Sequence, residues 1–320
     1  MHPVFFTHIP KTAGTSFRLG VEEHLGQKSI IYDYGLKANE TSKLVRELMY
    51  GEISDSWRFY KECHKHEIKF FGGHVGIGRF VSGFKIGSSV TFVREPLQRV
   101  VSEFQHFVRH YGYEGTMMDF CTRPVMQNRQ IKLLEAVPLE AIGIIGLTEK
   151  YEESIELINA RFSWSVAVRA DNKSHDHADN KTHQLSESEE AELRQLNQKD
   201  LELYRQCTKL FDTRYKLYQT GLQYCHALIQ RATEQNVSGW AWWEDGSDKP
   251  VEIELLLNGK PTKKKFATDL RPGLCWIYPP RGAHVGFSFP KAAKEGDTVQ
   301  CRISETGQCF PSKPIFVTKN

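Results

Sequence analysis

The sequence predicts an α/β fold in which helices cover both faces of a parallel sheet, followed by a small all-β sandwich. Short apolar, β-branched runs such as residues 90–93 alternate with segments of helical period, an order typical of a parallel sheet. Near Gln235 the pattern changes to short strands with partial alternation. We therefore expect one domain over residues 1–235 and a second over residues 236–320 that folds separately.

The composition is that of an ordinary globular protein, with 320 residues, 40% of them hydrophobic and 25% charged. A net charge of +3 is too small to favour nucleic acid as the main partner. Seven scattered cysteines without C-x-x-C spacing indicate reduced thiols rather than a disulfide framework or a zinc site. No apolar run of membrane-spanning length and no signal peptide are found, so we expect a cytoplasmic protein.

The first candidate site lies at the start of the chain, where a buried strand over residues 4–7 precedes a short loop. Pro10 and Gly14 bracket this loop, and Thr15 or Ser16 can begin a helix. Backbone N–H groups of such a strand–loop–helix unit converge on one point and bind phosphate or sulfate. Lys11 adds a mobile positive charge. The pattern is not the G-x-x-x-x-G-K-[ST] motif that binds nucleoside triphosphates.

A second strand, over residues 68–73, runs into a glycine-rich turn that carries His74. An imidazole at the end of a strand can serve as a general base near neutral pH. A histidine in this position can equally be structural, and the residues alone leave both interpretations open.

A third strand, over residues 90–93, leads into a helix that begins near Pro96, a residue suited to the first turn. Arg94 leaves the strand just before this helix, and Ser102 follows within it. A guanidinium and a hydroxyl are suitable donors for a dianionic phosphate, so Arg94 and Ser102 can converge on one anion. The alternative is a solvated helix start with surface arginines.

Together these motifs resemble sulfotransferases that use 3′-phosphoadenosine 5′-phosphosulfate (PAPS), especially the heparan sulfate 2-O-sulfotransferase-like family and its bacterial relatives. The resemblance covers about the first 220 residues and implies a P-loop-like, three-layer sheet. It implies that Arg94 and Ser102 bind the 3′-phosphate, that Lys11 neutralises charge on the bridging oxygen, and that His74 is the general base. The residues implied to bind the 5′-phosphosulfate are Lys11, Thr12, Ala13, Gly14, Thr15 and Ser16.

The chain departs from the family pattern at two positions. Gly72 stands where relatives often carry a second histidine, and Glu95 stands where aspartate is commoner. Residues 170–184 contain several His and Asp residues but no fixed ligand spacing, so we predict a solvated loop and no metal site. By analogy with relatives, this loop would close over the adenosine, with Lys181 or Thr182 near phosphate.

The remaining segments are predicted from local patterns. A helix is expected near residues 42–50, with loop or short helix elsewhere in residues 28–67, and helical character is expected to continue to about Gln235. In the second domain Asn258-Gly259 predicts a hairpin turn. The tryptophans there are interpreted as core residues rather than as platforms for sugars.

The function that these motifs favour is transfer of the sulfuryl group from PAPS to a hydroxyl, with PAP as the product. We expect the acceptor to be a carbohydrate. No metal and no nucleic acid are needed. Two alternatives stay open: a nucleotide- or glycan-binding protein without turnover, and a variant nucleotide kinase. A kinase would need Mg²⁺-directed carboxylates, and no strand-end aspartate in a Walker-B-like run is evident in the sequence.

Overall fold

The structure is a computed structural model that describes residues 3–169, 185–311 and 314–318. The described residues form two compact units. The first comprises those of Met1–Gly83, Ser88–Val137 and Ile144–Thr208, and the second those of Phe84–Gly87, Pro138–Gly143 and Lys209–Asn320.

A parallel sheet is the centre of the first unit. Its described strands lie in the order β2-β3-β1-β4-β5, so β1 pairs with β3 on one side and with β4 on the other. The class predicted from the sequence, a parallel α/β sheet with helices, is confirmed. The strands are β1 (Val4–Thr7), β2 (Ile30–Asp33), β3 (Phe70–Gly73), β4 (Ser89–Val93) and β5 (Ile144–Leu147).

The strands of this sheet are apolar because the protein covers them. Every residue of β1, β3, β4 and β5 is buried. On one side, the rings of Phe6, Phe17, Phe70 and Phe92 form the centre of a hydrophobic core. Burying each such ring contributes about 1.5–3 kcal/mol, which makes this cluster a main source of stability for the unit.

The helices of the chain surround and follow this sheet. A capping box at Ser186 and Glu189 begins the helix α8 (Glu187–Leu196). The described helices are α1 (Gly14–Leu25), α2 (Lys43–Met49), α3 (Ser56–Lys65), α4 (Pro96–Tyr111), α5 (Met117–Cys121), α6 (Arg129–Leu134), α7 (Tyr151–Phe162), α8 (Glu187–Leu196) and α9 (Gln198–Gln219).

Two antiparallel sheets form the second unit, in the orders β10-β11-β7-β6 and β13-β12-β8-β9 for the described strands. Apolar side chains of both sheets, among them Ala241, Ile253, Phe287 and Val299, share one core. The strands are β6 (Cys225–Ala232), β7 (Asn236–Trp243), β8 (Glu252–Leu257), β9 (Lys260–Phe266), β10 (Asp269–Leu270), β11 (His284–Pro290), β12 (Thr298–Ile303) and β13 (Ile315–Phe316).

Several local predictions for the second unit are confirmed. Asn258 and Gly259 have φ angles of 50° and 78° in the turn between β8 and β9, the left-handed values that such a hairpin requires. Trp240, Trp242 and Trp243 are buried, as expected of core residues, but Trp276 is 42% exposed and contradicts that interpretation. All seven cysteines are free.

Helical character does not continue to Gln235, since α9 ends at Gln219 and residues 225–232 form β6. The apolar stretch there is short, and periodicity alone does not separate a short buried strand from a helix. Because β6 pairs with β7, this sheet includes residues on both sides of the predicted boundary at 235/236. That division into two domains stays a prediction.

One element of residues 28–67 was not recognised. The helix expected near residues 42–50 is α2, and α3 lies where loop or short helix was expected, but residues 30–33 form the strand β2. On α4 the apolar residues Leu97, Val100 and Phe104 are buried, while Val108 and Tyr111 are exposed. Within the described part of the chain, no helix has both the length and the apolar character needed to cross a membrane.

The close pairing of β2 with β3 gives a stability test. A Cβ at Gly73 would lie 1.9 Å from the carbonyl oxygen of Asp33, whereas a Cβ at Gly76 would lie 3.7 Å from its nearest neighbour, the oxygen of Leu133. We expect Gly73→Ala to lower the free energy of unfolding by about 1–3 kcal/mol, as overpacking does. Urea denaturation of both variants measures this, and equal stability of Gly73→Ala and Gly76→Ala would contradict it.

Candidate functional site

The candidate site lies at the carboxyl edge of the parallel sheet, where three neighbouring strands end. Residues 8–13 follow β1, His74 follows β3 and Arg94 follows β4. The His8 N–H donates to the Gly73 oxygen at 2.8 Å, which continues the pairing of β1 with β3 beyond Thr7. Arg94 Nη1 donates to the Lys11 oxygen at 3.5 Å. Parallel topology thus brings the ends of the three predicted motifs to one sheet edge.

Residues 8–16, here called the 8–16 loop, comprise the turn after β1 and the first three residues of α1. The turn has an unusual backbone. Lys11 and Ala13 have φ angles of 68° and 62°, left-handed values that non-glycine residues seldom adopt. Such strain concentrates at functional sites, and alternating left- and right-handed residues turn successive N–H groups to one side. The Thr12 hydroxyl donates to the Ile9 oxygen at 2.8 Å and holds the loop in this form.

Helix α1 begins directly from the 8–16 loop with Ala13 as its N-cap. Among the described residues no side chain caps this end. The first N–H groups of a helix have no intrahelical partner and can bind an anion; here they begin with those of Gly14 and Thr15. Lys11 and Ala13 are half-buried, Thr15 is exposed, and Thr12, Gly14 and Ser16 are buried.

Arg94 and Ser102 come from the β4–α4 segment. The Arg94 backbone is held on both sides by Gln130, which accepts from its N–H and donates to its carbonyl, each at 2.9 Å. The Arg94 side chain is half-buried, and its Nε has no hydrogen-bond partner among the described residues. Ser102 is buried on α4. Their convergence on one anion stays a prediction.

Beside them lies a buried ionic cluster that the sequence did not indicate. The Glu103 carboxylate accepts from both Arg99 and Arg129. Arg99 and Glu103 are almost completely buried. Arg99 lies on α4 between Arg94 and Ser102 in the sequence, and its guanidinium is bound to Glu103. The Glu103 carboxylate is in turn bound by the guanidinium groups of both Arg99 and Arg129. It is therefore poorly placed to act as a general base.

His74 lies next to two aromatic side chains. The centroid of its ring is 4.5 Å from that of His8 and 4.7 Å from that of Tyr34. One side of His74 remains exposed to solvent. The protein atoms around the ring disfavour the charged form and, with the positive charge of Arg129, lower the pKa to about 4. His74 is thus neutral at neutral pH, as a proton acceptor must be.

His8 and Tyr34 were not predicted as site residues. His8 Nδ1 lies 2.9 Å from the Tyr34 hydroxyl oxygen, and His8 is 6% exposed. Burial, followed by the charges of His74, Arg18 and Lys11, lowers the pKa of His8 well below its usual value. The only sequence signal was the place of His8 directly after β1, because Tyr34 follows β2, which was not recognised.

The Lys11 charge also reaches α4. Desolvation, and next the charge of Lys11, lower the pKa of His106. Since His106 lies on the half of α4 that follows Ser102, the 8–16 loop and this helix belong to one electrostatic environment.

The structure gives physical reasons for the two departures from the family pattern. A Cβ at position 72 would meet Phe70 at 3.0 Å and Phe6 at 3.4 Å, so the core leaves little room for a histidine there. Glu95 is the N-cap of α4, and its carboxylate accepts from the Gln98 N–H at 2.7 Å. A longer acid therefore performs a capping role at this position.

One aspartate ends a strand of the parallel sheet. Asp33, at the end of β2, is buried. Its Oδ1 accepts from the Tyr50 hydroxyl at 2.7 Å and from the Gly35 N–H at 3.1 Å, and its Oδ2 lies 3.5 Å from Arg79 Nε. These contacts make Asp33 a structural carboxylate.

The predicted loop over residues 170–184, with Lys181 and Thr182, lies outside the described residues. Within the described ranges, no group of three or more His, Cys, Asp or Glu side chains could hold a metal ion.

In comparisons with known proteins, no family model and no curated sequence matches this chain. The family resemblance therefore depends on the motifs themselves.

The lowered pKa of His74 gives a pH prediction. Between pH 6.5 and about 4 the unfolded chain binds a proton at this position and the folded chain does not, so the free energy of unfolding should fall as the pH is lowered. NMR titration of the histidine ring protons should give a midpoint near 4 for His74. A midpoint at or above 6.5 would contradict the electrostatic environment described here.

Proposed function

We propose that this chain is a PAPS-dependent sulfotransferase that transfers a sulfuryl group to a hydroxyl. The observation that carries the proposal is the meeting of three motifs at neighbouring strand ends: the 8–16 loop after β1, His74 after β3 and Arg94 after β4. The residues that resemble the sulfotransferase motifs are spread over about 100 positions of the sequence, and the fold brings the three motifs to one edge of the sheet. The fold would then be P-loop-like in the finer sense predicted from the sequence.

The donor fits the charges and donors of this edge. The open N-terminus of α1 and the left-handed residues Lys11 and Ala13 support binding of the 5′-phosphosulfate by residues 11–16. The unpartnered Nε of Arg94, together with the buried hydroxyl of Ser102, supports binding of the 3′-phosphate. PAPS supplies the activated sulfuryl group; the protein supplies position and electrostatics.

The protein's own groups have separate roles in this proposal. Neutral His74 accepts the proton of the attacking hydroxyl, and Lys11 neutralises the negative charge that develops on the bridging oxygen as PAP leaves. Glu103 is excluded as the base by its ion pairs with Arg99 and Arg129. Following the family resemblance, the acceptor is a hydroxyl of a carbohydrate or glycoconjugate, and neither metal nor nucleic acid takes part.

Donor binding gives the first test of this function. Arg94→Ala should weaken PAP binding by about 2–4 kcal/mol, because a phosphate dianion loses a charged partner. Isothermal titration calorimetry measures this change. Arg109→Ala, in the exposed last turn of α4, removes one positive charge away from the strand end and is the matched control.

The wild-type chain should also prefer PAP to AMP, which lacks the 3′-phosphate. Equal affinities for PAP and AMP would refute the roles of Arg94 and Ser102. Failure to bind either PAP or PAPS would refute the function as a whole.

Turnover gives the second test. His74→Gln should keep near-normal PAP affinity while lowering sulfate transfer by roughly 10²–10⁴, the usual contribution of a positioned base. Transfer of labelled sulfate from PAPS onto a glycan panel measures it, with His66→Gln as the surface control. Undiminished transfer by His74→Gln would assign the base to another residue, and PAP binding without transfer by the wild type would favour a binding protein.

A further inference from the structure

The feature that the proposed mechanism leaves unused is His8, a buried histidine at the base of the 8–16 loop. Its backbone is fixed by the bond from its N–H to the Gly73 oxygen at 2.8 Å. Its ring stacks on Phe6, with 5.3 Å between ring centroids, and meets His74 edge-on. A core residue in this position would be expected to be apolar, because burying a polar ring costs free energy unless its nitrogens are bonded.

Only one of the two ring nitrogens of His8 has a hydrogen-bond partner within the described residues. Nδ1 lies 2.9 Å from the Tyr34 hydroxyl oxygen, and no bond to Nε2 is found in this part of the chain. Nε2 lies close to the start of α1: a Cβ added to Gly14 would be 2.3 Å from it and 2.1 Å from Cδ2. The unbonded nitrogen therefore faces the first residue of the helix whose open end forms the candidate anion site.

The bond to Tyr34 bears on which nitrogen of His8 carries the proton. Burial raises the pKa of Tyr34 to about 12, so the phenol keeps its proton. A protonated phenol can donate its O–H to His8 Nδ1, which then carries no proton of its own. In a neutral imidazole the proton is then on Nε2.

We propose that His8 is a neutral hydrogen-bond donor whose Nε2–H contacts the sulfuryl group of the bound donor at the start of α1. This proposal rests on the proposed function and extends it to a residue and a tautomer. The sulfuryl group passes from the bridging oxygen of PAPS to the acceptor oxygen, and the acceptor proton passes to His74. His8 transfers no proton; it supplies one fixed N–H beside the backbone N–H groups of the 8–16 loop.

A neutral donor suits this position for an electrostatic reason. The positive charges of Arg18 and Lys11 act on His8, so a positive charge on its ring would be repelled by theirs. A neutral N–H still stabilises negative charge on the sulfuryl oxygens without that repulsion. Removal of a single preorganised donor of this kind lowers turnover by about 10²–10³ in other enzymes, and we expect a loss of that size.

Three substitutions separate donation from packing. In His8→Gln the side-chain NH₂ can occupy the place of Nε2–H, in His8→Asn the shorter side chain reaches only the place of Nδ1, and in His8→Phe the ring remains without a nitrogen. We expect His8→Asn and His8→Phe to lose about 10²-fold in PAPS turnover, followed as PAP release, and His8→Gln to regain at least 10-fold of this loss. Their affinities for PAP, which lacks the sulfuryl group, should stay within about threefold of wild type.

Different results would contradict the donor role of His8 and the proposed function. Wild-type turnover in His8→Phe would reduce His8 to a packing residue, and equal losses in His8→Gln and His8→Phe would refute the donor role. Loss of PAP affinity in all three variants would assign His8 to the structure of the loop. Absence of PAPS and PAP binding by the wild type would instead refute the proposed function, and this proposal with it.

A measurement on the unaltered protein covers the case in which the variants do not fold. Long-range ¹H–¹⁵N NMR of histidine-labelled protein distinguishes the two neutral tautomers from the cation. We expect His8 to be neutral with its proton on Nε2 at pH 7, and this Nε2 resonance to respond more to PAPS than to PAP. A proton on Nδ1, a charged ring, or equal responses to both nucleotides would overturn the proposal.

Discussion

The parallel pairing of β1 with both of its neighbours is the interaction on which the candidate site depends. Thr7, the last residue of β1, is paired with Gly73 of β3 and Thr91 of β4. The buried Thr91 hydroxyl donates to the Thr7 oxygen at 2.9 Å. This side-chain hydrogen bond stabilises the register of β1 and β4 in addition to their backbone hydrogen bonds. A slip of one residue would exchange the two faces of β1 and move its following loop relative to His74 and Arg94. The position of every candidate group follows from this register.

The charged side chains around His74 influence its pKa together, because they are also bound to one another. Arg129 lowers the pKa of His74 and Glu103 opposes it, while Glu103 itself is fixed between Arg99 and Arg129. Two arginines and one carboxylate leave a net positive charge near the strand ends, which favours a neutral imidazole and attracts anions. A buried ionic cluster of this kind is costly to break, because the loss of one partner leaves an uncompensated charge.

The sequence predicted those parts of the fold whose signals are local. Strand, loop and helix start follow one another within a few residues at Lys11 and at Arg94, so spacing alone placed them. His8 and Tyr34 are 26 positions apart and meet only because β2 pairs with β3, and β2 is a four-residue strand whose half-buried Tyr32 weakens its apolar pattern. The Arg99–Glu103 pair was missed for a different reason: charged residues at helical spacing normally indicate a solvated face. The function itself stays a proposal.

The contact between His8 and Gly14 also constrains how this sequence can change over time. The imidazole occupies the volume that any side chain at position 14 would need. Exchange of Gly14 alone would displace the ring, and exchange of His8 alone would leave a void beside the helix start. The two positions are therefore expected to covary among homologues, with a larger residue at 14 tolerated only where position 8 is small. Covariation of positions 8 and 14 among homologues would be evidence for this packing contact that does not depend on any ligand.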